Sequence, residues 1–197
     1  MKPFITTVLA LWFLVVFFLG ANGAFVTPPG KPPLAILIAV LAPMAAFIAG
    51  YLGWSAFRDF ILSADPVLLS AIQAWRAAGL GFLALAAHGV LPGLFAWPAG
   101  LGDIAIGLTA PWVAIALVRR SAFLSSPIFA VWNLLGILDL VVAVSMGALN
   151  SGFIPGVVRE VTTAPMAQLP LLLIPGYLVP LFVILHLSVL FQARQHS

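Results

Sequence analysis

The chain has 197 residues, 63% of them hydrophobic and 7% charged, with a mean hydropathy of +1.21. Soluble domains carry about a quarter charged residues, and no soluble fold of this length has an interior able to hide so much apolar surface. The net charge of +3 and the pI near 10.0 come from basic residues scattered between apolar segments, so they report topology and imply no nucleic-acid partner.

A hydrocarbon core about 30 Å thick needs roughly 20 apolar residues per helical crossing. Six segments meet that need, at approximately 4–22, 33–53, 67–89, 99–118, 128–148 and 169–191. They are continuous apolar runs, unlike the short alternating strands of a membrane barrel. The expected fold is therefore all-α: a polytopic integral membrane bundle of six transmembrane helices. The connections are too short for a separate soluble domain, so residues 1–197 are expected to form one transmembrane domain.

Span one follows Lys2 and ends in the small residues Ala21-Asn-Gly-Ala24, which resembles a signal peptide. It is read as a retained first helix with a signal-anchor role. It carries Thr6, Thr7 and Trp12 and nothing ionisable, as suits a peripheral helix. The prolines of Thr27-Pro-Pro-Gly-Lys-Pro-Pro33 predict a stiff turn, and Pro43 predicts a bend in span two. Residues 54–62 pair aromatics with Arg58 and Asp59, the pattern of an interfacial anchor. Asp65 before Pro66 reads as the N-cap of span three.

Span three carries Gln73 and Arg76 on one helix face. Arg76 is the only basic residue well inside a span. Arg119 and Arg120 close span four at the membrane surface. The loop between spans five and six is about 20 residues long, holds Arg159 and Glu160, and could lie over the outer face as a lid. Pro175 and Pro180 predict a bend or break in span six between residues 172 and 182, and broken helices often line transporter sites. Lys2, Arg58, Arg119, Arg120 and Arg194 fall on one side, Lys31 and Arg159 on the other. The positive-inside rule then puts both termini in the cytoplasm, with the protein in the cytoplasmic membrane of a prokaryote.

The main functional lead is a pair of acids in similar frames. Gly100-Leu-Gly-Asp103-Ile-Ala-Ile-Gly107 lies on span four and Gly136-Ile-Leu-Asp139-Leu-Val-Val-Ala143 on span five. A carboxylate in lipid is costly and usually marks a functional path or a paired site. Helical spacing sets Asp103 in a stripe with Gly100, Gly107 and Ala110, and Asp139 in one with Gly136, Ala143 and Gly147, allowing close helix approach. At 1.5 Å per residue, Asp103, Asp139 and Arg76 lie roughly 22, 17 and 14 Å above the cytoplasmic helix ends, close enough to meet. Two buried carboxylates need a shared proton, a cation or Arg76 between them. A structural Arg–Asp bridge would satisfy the same rule.

Asn133 and His186 lie about 8 Å above the cytoplasmic ends and could form an inner polar vestibule with Gln73. His88 and His186 are the candidate metal ligands. They are separated by more than about 20 Å along the membrane normal, too far for one bis-histidine haem, which leaves a single-His site or a quinone pocket open. The absence of cysteine excludes disulfides, thiolate metal sites and dithiol redox chemistry.

Gly100-Leu-Gly-Asp103 also resembles the Gly-x-Gly-Asp element of intramembrane aspartyl proteases, the presenilin and prepilin-peptidase group. The resemblance implies that Asp103 and Asp139 share a proton and activate water. In that family the other aspartate precedes the element, whereas Asp139 follows it. A Pro-Ala-Leu element near the C-terminus is replaced by Val179-Pro180-Leu181.

The sequence thus points to a multipass protein whose Asp103, Asp139, Arg76, Gln73, Asn133 and His186 bind or translocate a proton, cation or small polar ligand. The alternatives are an intramembrane enzyme, with a protease-like dyad or a His/Asp metal site, and a haem- or quinone-binding subunit. The expected partners are the lipid bilayer and, since six short helices are few for a monomeric transporter, a second copy in a homodimer.

Overall fold

The computed structural model describes residues 1–28, 30–154, 156 and 161–195, without the side chain of Lys2. Arg159, Glu160 and His196 lie outside the described residues, and the lid expectation lies there with the first two.

Helix α1 is Lys2–Ala21 and α2 is Leu34–Gly53. Pro43 lies inside α2, which continues through it. A short α3, Ser55–Leu62, follows with Ile61 buried and Trp54 exposed at its start. The third crossing is composite. Asp65 caps α4, Pro66–Ala71, by accepting from the Val67 amide at 2.8 Å. The chain then tightens into a 3-10 stretch, Ile72–Gly79, and relaxes into α5, Leu80–Ala87. Helix α6 is Gly93–Arg119 and α7 is Pro127–Leu149, the latter capped by Ser126 Oγ accepting from the Phe129 amide. The last crossing begins with a π-helical turn, Ile174–Leu178, and continues as α8, Val179–Gln195.

Among the described residues, six helical stretches are long and apolar enough to cross a membrane. They run Pro3–Ala21, Leu34–Gly53, Pro66–Ala87, Gly93–Arg119, Pro127–Leu149 and Ile174–Gln195. All described regular structure is helical, compatible with a multipass membrane protein. Large apolar side chains such as Trp75, Trp112, Val118 and Ile128 point outward, as a hydrocarbon solvent allows.

Two boundaries differ from the sequence expectation. The fourth crossing starts at Gly93 rather than 99, because α6 runs through both Pro98 and Pro111. Prolines are tolerated in membrane helices where neighbours satisfy the freed carbonyls. The sixth starts at Ile174 rather than 169. Upstream of it the chain forms only a 3-10 turn at Ala164–Ala167, and Pro165, Pro170 and Pro175 deny the donors an α-helix needs there. The irregular turn Ile174–Leu178 falls inside the window in which the prolines predict a break.

The connections sort to two ends. Phe4 meets Trp54 with ring centroids 5.8 Å apart, and Tyr51 stacks on Phe191 at 4.3 Å, so both chain termini share one end. At the far end the segment after α7 folds back onto it. The Thr163 amide donates to Asn150 O at 2.9 Å and its hydroxyl to Gly147 O at 2.6 Å. Met166 and Ala167 enter the core beside Phe95 and Phe25 respectively. Helix α1 stays peripheral. Its Trp12 packs on Tyr177 at 4.6 Å and its Val16 lies against Gly176, so its contacts gather on the π turn.

Candidate functional site: one arginine between two helices of acids

The 3-10 stretch fixes where Arg76 points. At three residues per turn, positions three apart stack in a straight line. Gln73, Arg76 and Gly79 form such a line, Ser70 at the end of α4 and Phe82 in α5 flank it, and all five are buried. Arg76 leaves this ridge toward α6 and α7 and is 2% exposed. Its Nε donates to Asp103 Oδ1 at 2.7 Å, and its Nη2 donates to Asp139 Oδ2. Its Nη1 donates to Gly136 O at 3.1 Å and lies at the same distance from His186 Nε2. The guanidinium fork thus binds two carboxylates, a carbonyl and an imidazole at once, a geometry lysine lacks.

The histidine tautomer follows from its neighbours. A guanidinium only donates, so His186 Nε2 accepts and the ring proton sits on Nδ1. Nδ1 donates to Asn133 Oδ1 at 2.7 Å, and Asn133 Nδ2 donates to Phe129 O at 2.8 Å. The imidazole is therefore neutral. Trp132 meets it edge-on at 5.4 Å while donating its indole N–H to Thr109 Oγ1 at 2.9 Å.

Glycines make the approach possible. A Cβ at Gly107 would strike the Ala77 nitrogen and the Arg76 carbonyl carbon. At Gly100 it would come within 2.9 Å of Gly79 O. At Gly102 it would overlap the Asp139 carboxylate, and at Gly136 the His186 ring. The small-residue stripe of α6 therefore receives span three, while Gly136 of the α7 stripe receives α8.

Asp103 also lines a cleft that opens at the far end between α2, α7 and the segment before α8. The cleft encloses about 960 Å³ between its walls, part of it open to the outside. On the opposite side the site is closed: Asn133, His186 and Phe129 are all 0% exposed.

Arg76, Asp103, Asp139, His186 and Asn133 form one bonded string. Gln73 stands apart from it. Its Nε2 donates to Phe182 O at 3.2 Å, and its Oε1 and the Ser70 hydroxyl are buried without a hydrogen-bond partner among the described residues. The inner vestibule expected of Gln73, Asn133 and His186 is thus replaced by solid packing, with His186 and Asn133 joined to the arginine cluster. His88 is exposed at the end of α5, remote from His186. Both ring nitrogens of His186 are engaged, and the described residues hold no group of three or more His, Asp or Glu placed to bind a metal ion. The protease resemblance implies carboxylates joined by one proton. Here each carboxylate bonds a different nitrogen of one guanidinium. The cleft and the His186–Arg76 contact had no signal in the sequence. The three-residue period of Ser70, Gln73, Arg76 and Gly79 could have flagged the 3-10 ridge.

A family model described as a domain of unknown function (DUF8737) matches residues 33–194. The chain belongs to this family. The match takes in α2 through nearly all of α8, and with them every residue of the DUF8737 site, while α1 lies outside it. No curated protein and no solved structure matches the chain.

Proposed function

We propose that this DUF8737 protein binds a cation at Asp103, taken up through the cleft in exchange for a proton. The observation that carries this reading is a charge count within the cluster: one guanidinium bonds two carboxylates, the imidazole is neutral, and the Asp103 carboxylate lines a cleft whose other charged residue is Lys31 at the far end. A surplus negative charge inside a membrane bundle needs a proton or a cation as its counter-charge. The cleft offers a way in from one end, and the closed His186–Asn133–Phe129 side blocks the other.

The basic residues support an orientation. Arg58 and Arg194 lie at the termini end with the ends of α6 and α8, and Lys31 lies at the far end. The positive-inside rule then places both termini in the cytoplasm and opens the cleft to the outside.

The test is cation addition to the purified protein in lightly buffered detergent solution, with sodium, methylammonium and tetramethylammonium as separate probes. Wild type should release a proton and warm or cool on titration with at least one probe. Asp103→Asn should give neither signal while remaining folded, since Asp139 still pairs with Arg76. If wild type and Asp103→Asn respond alike to every probe, the cluster is an ion bridge holding three spans together, and the binding reading is wrong.

A further inference from the structure

The walls of the cleft say which cation. They are largely hydrocarbon, with Phe82, Phe95, Leu140 and Val179 among them, and Asp103 and Lys31 are the charged residues of the lining. Phe82 and Phe95 form an edge-to-face pair with centroids 5.4 Å apart. Phe82 stands three residues beyond Gly79, in the first turn of α5, and Gly79 packs against the Asp103 Cβ. The aromatic pair and the carboxylate line the same cleft.

This lining is wrong for a bare metal ion. Calcium and magnesium need about six or more oxygen ligands to replace their water. The cleft supplies one carboxylate there, and its Oδ1 already accepts from Arg76. A hydrated ion would instead press its water shell against hydrocarbon, leaving polar groups unsatisfied. An organic ammonium ion has neither difficulty. Its charge is spread over C–H groups that lie against aromatic faces, and an apolar body gains from leaving water.

We infer that the ligand is an organic ammonium ion carrying an apolar body, its charged head held by Asp103 beside the Phe82–Phe95 pair. This inference rests on the reading of Asp103 as a cation site and adds the chemical class of the cation.

The experiment is calorimetric titration of the full-length protein in non-ionic detergent. The probes are sodium chloride, methylammonium, tetramethylammonium, benzyltrimethylammonium and, as an uncharged analogue of similar shape, neopentyl alcohol. Affinity should rise in that order among the cations, and neopentyl alcohol should bind far more weakly than tetramethylammonium. Asp103→Asn should remove cation binding. Phe82→Leu and Phe95→Leu keep the hydrocarbon and remove a ring, so each should weaken benzyltrimethylammonium by roughly 5- to 30-fold, the range of a desolvated cation–π contact. Two ring variants are used so that a folding defect in one leaves the other to decide. Sodium binding as tightly as the ammonium ions through Asp103 would overturn this inference and leave the cation reading standing. Neopentyl alcohol binding as tightly as tetramethylammonium would also overturn it, as a purely apolar pocket. No binding of any probe to wild type removes both.

Discussion

The α6 and α7 aspartate frames read almost alike in sequence and are used differently in the fold. On α6, Gly100 and Gly107 let the backbone of span three lie against the helix, and Asp103 looks into the cleft. On α7, Gly136 makes room for an imidazole from α8, and the Asp139 carboxylate itself fills the gap left by Gly102 of the neighbouring frame. One frame is a backbone-to-backbone contact whose acid lines the cleft. The other is a side-chain socket with an enclosed ring. A shared pattern of glycine and aspartate thus fixes where helices come close without fixing what comes close to them.

The harshest way to break the comparison is to remove what joins the frames. Arg76→Ala strands two carboxylates, and breaking a buried pair costs about 3–5 kcal/mol. The variant should lose most of its cooperative thermal unfolding in detergent. The acids themselves should behave non-additively. Asp103→Asn or Asp139→Asn alone leaves one carboxylate for one guanidinium, so each should cost on the order of 1 kcal/mol. The double variant leaves a buried cation unpaired and should cost about as much as Arg76→Ala. Melting temperatures of the three variants give the coupling, and additive losses would refute the charge count.

The glycines sharpen the contrast between backbone and side-chain contacts. Gly107→Ala meets backbone that cannot yield, and should cost about 1–3 kcal/mol as overpacking. Gly102→Ala meets a carboxylate that can rotate away. Its stability loss should be smaller, and cation binding should change because Asp139 is displaced. The smallest effect belongs to Trp132→Phe, which removes the hydrogen bond to the exposed Thr109 hydroxyl and should shift stability by about 1 kcal/mol or less. Its loss of tryptophan emission would report whether ligand at Asp103 is felt at His186.

The spans, the Asp65 cap and the meeting of Arg76 with both acids were legible in the sequence, because hydropathy and burial cost leave little choice. Depth along the membrane was less so. A uniform 1.5 Å rise put Arg76 about 8 Å below Asp103; the 3-10 rise of about 2.0 Å per residue recovers about 2 Å of that, and the long arginine side chain bridges the rest. The same estimate set His186 apart from Arg76, yet the long arginine side chain spans that interval. The start of α6 was missed because Pro98 reads as a breaker in water and is tolerated in a bundle. Nothing in the linear pattern announces a cleft, since its walls come from residues 25 to 179 and each reads locally as ordinary core.

The tight winding of Ile72–Gly79 has a consequence for how the site can come apart. A 3-10 helix turns about 120° per residue and an α-helix about 100°. Gln73, Arg76 and Gly79 share a ridge only while that pitch is kept. Rewinding the segment would swing Arg76 around the helix axis and shorten the span, withdrawing the guanidinium from both acids in a single screw motion. The arginine is in this sense threaded into the site by the pitch of its own helix.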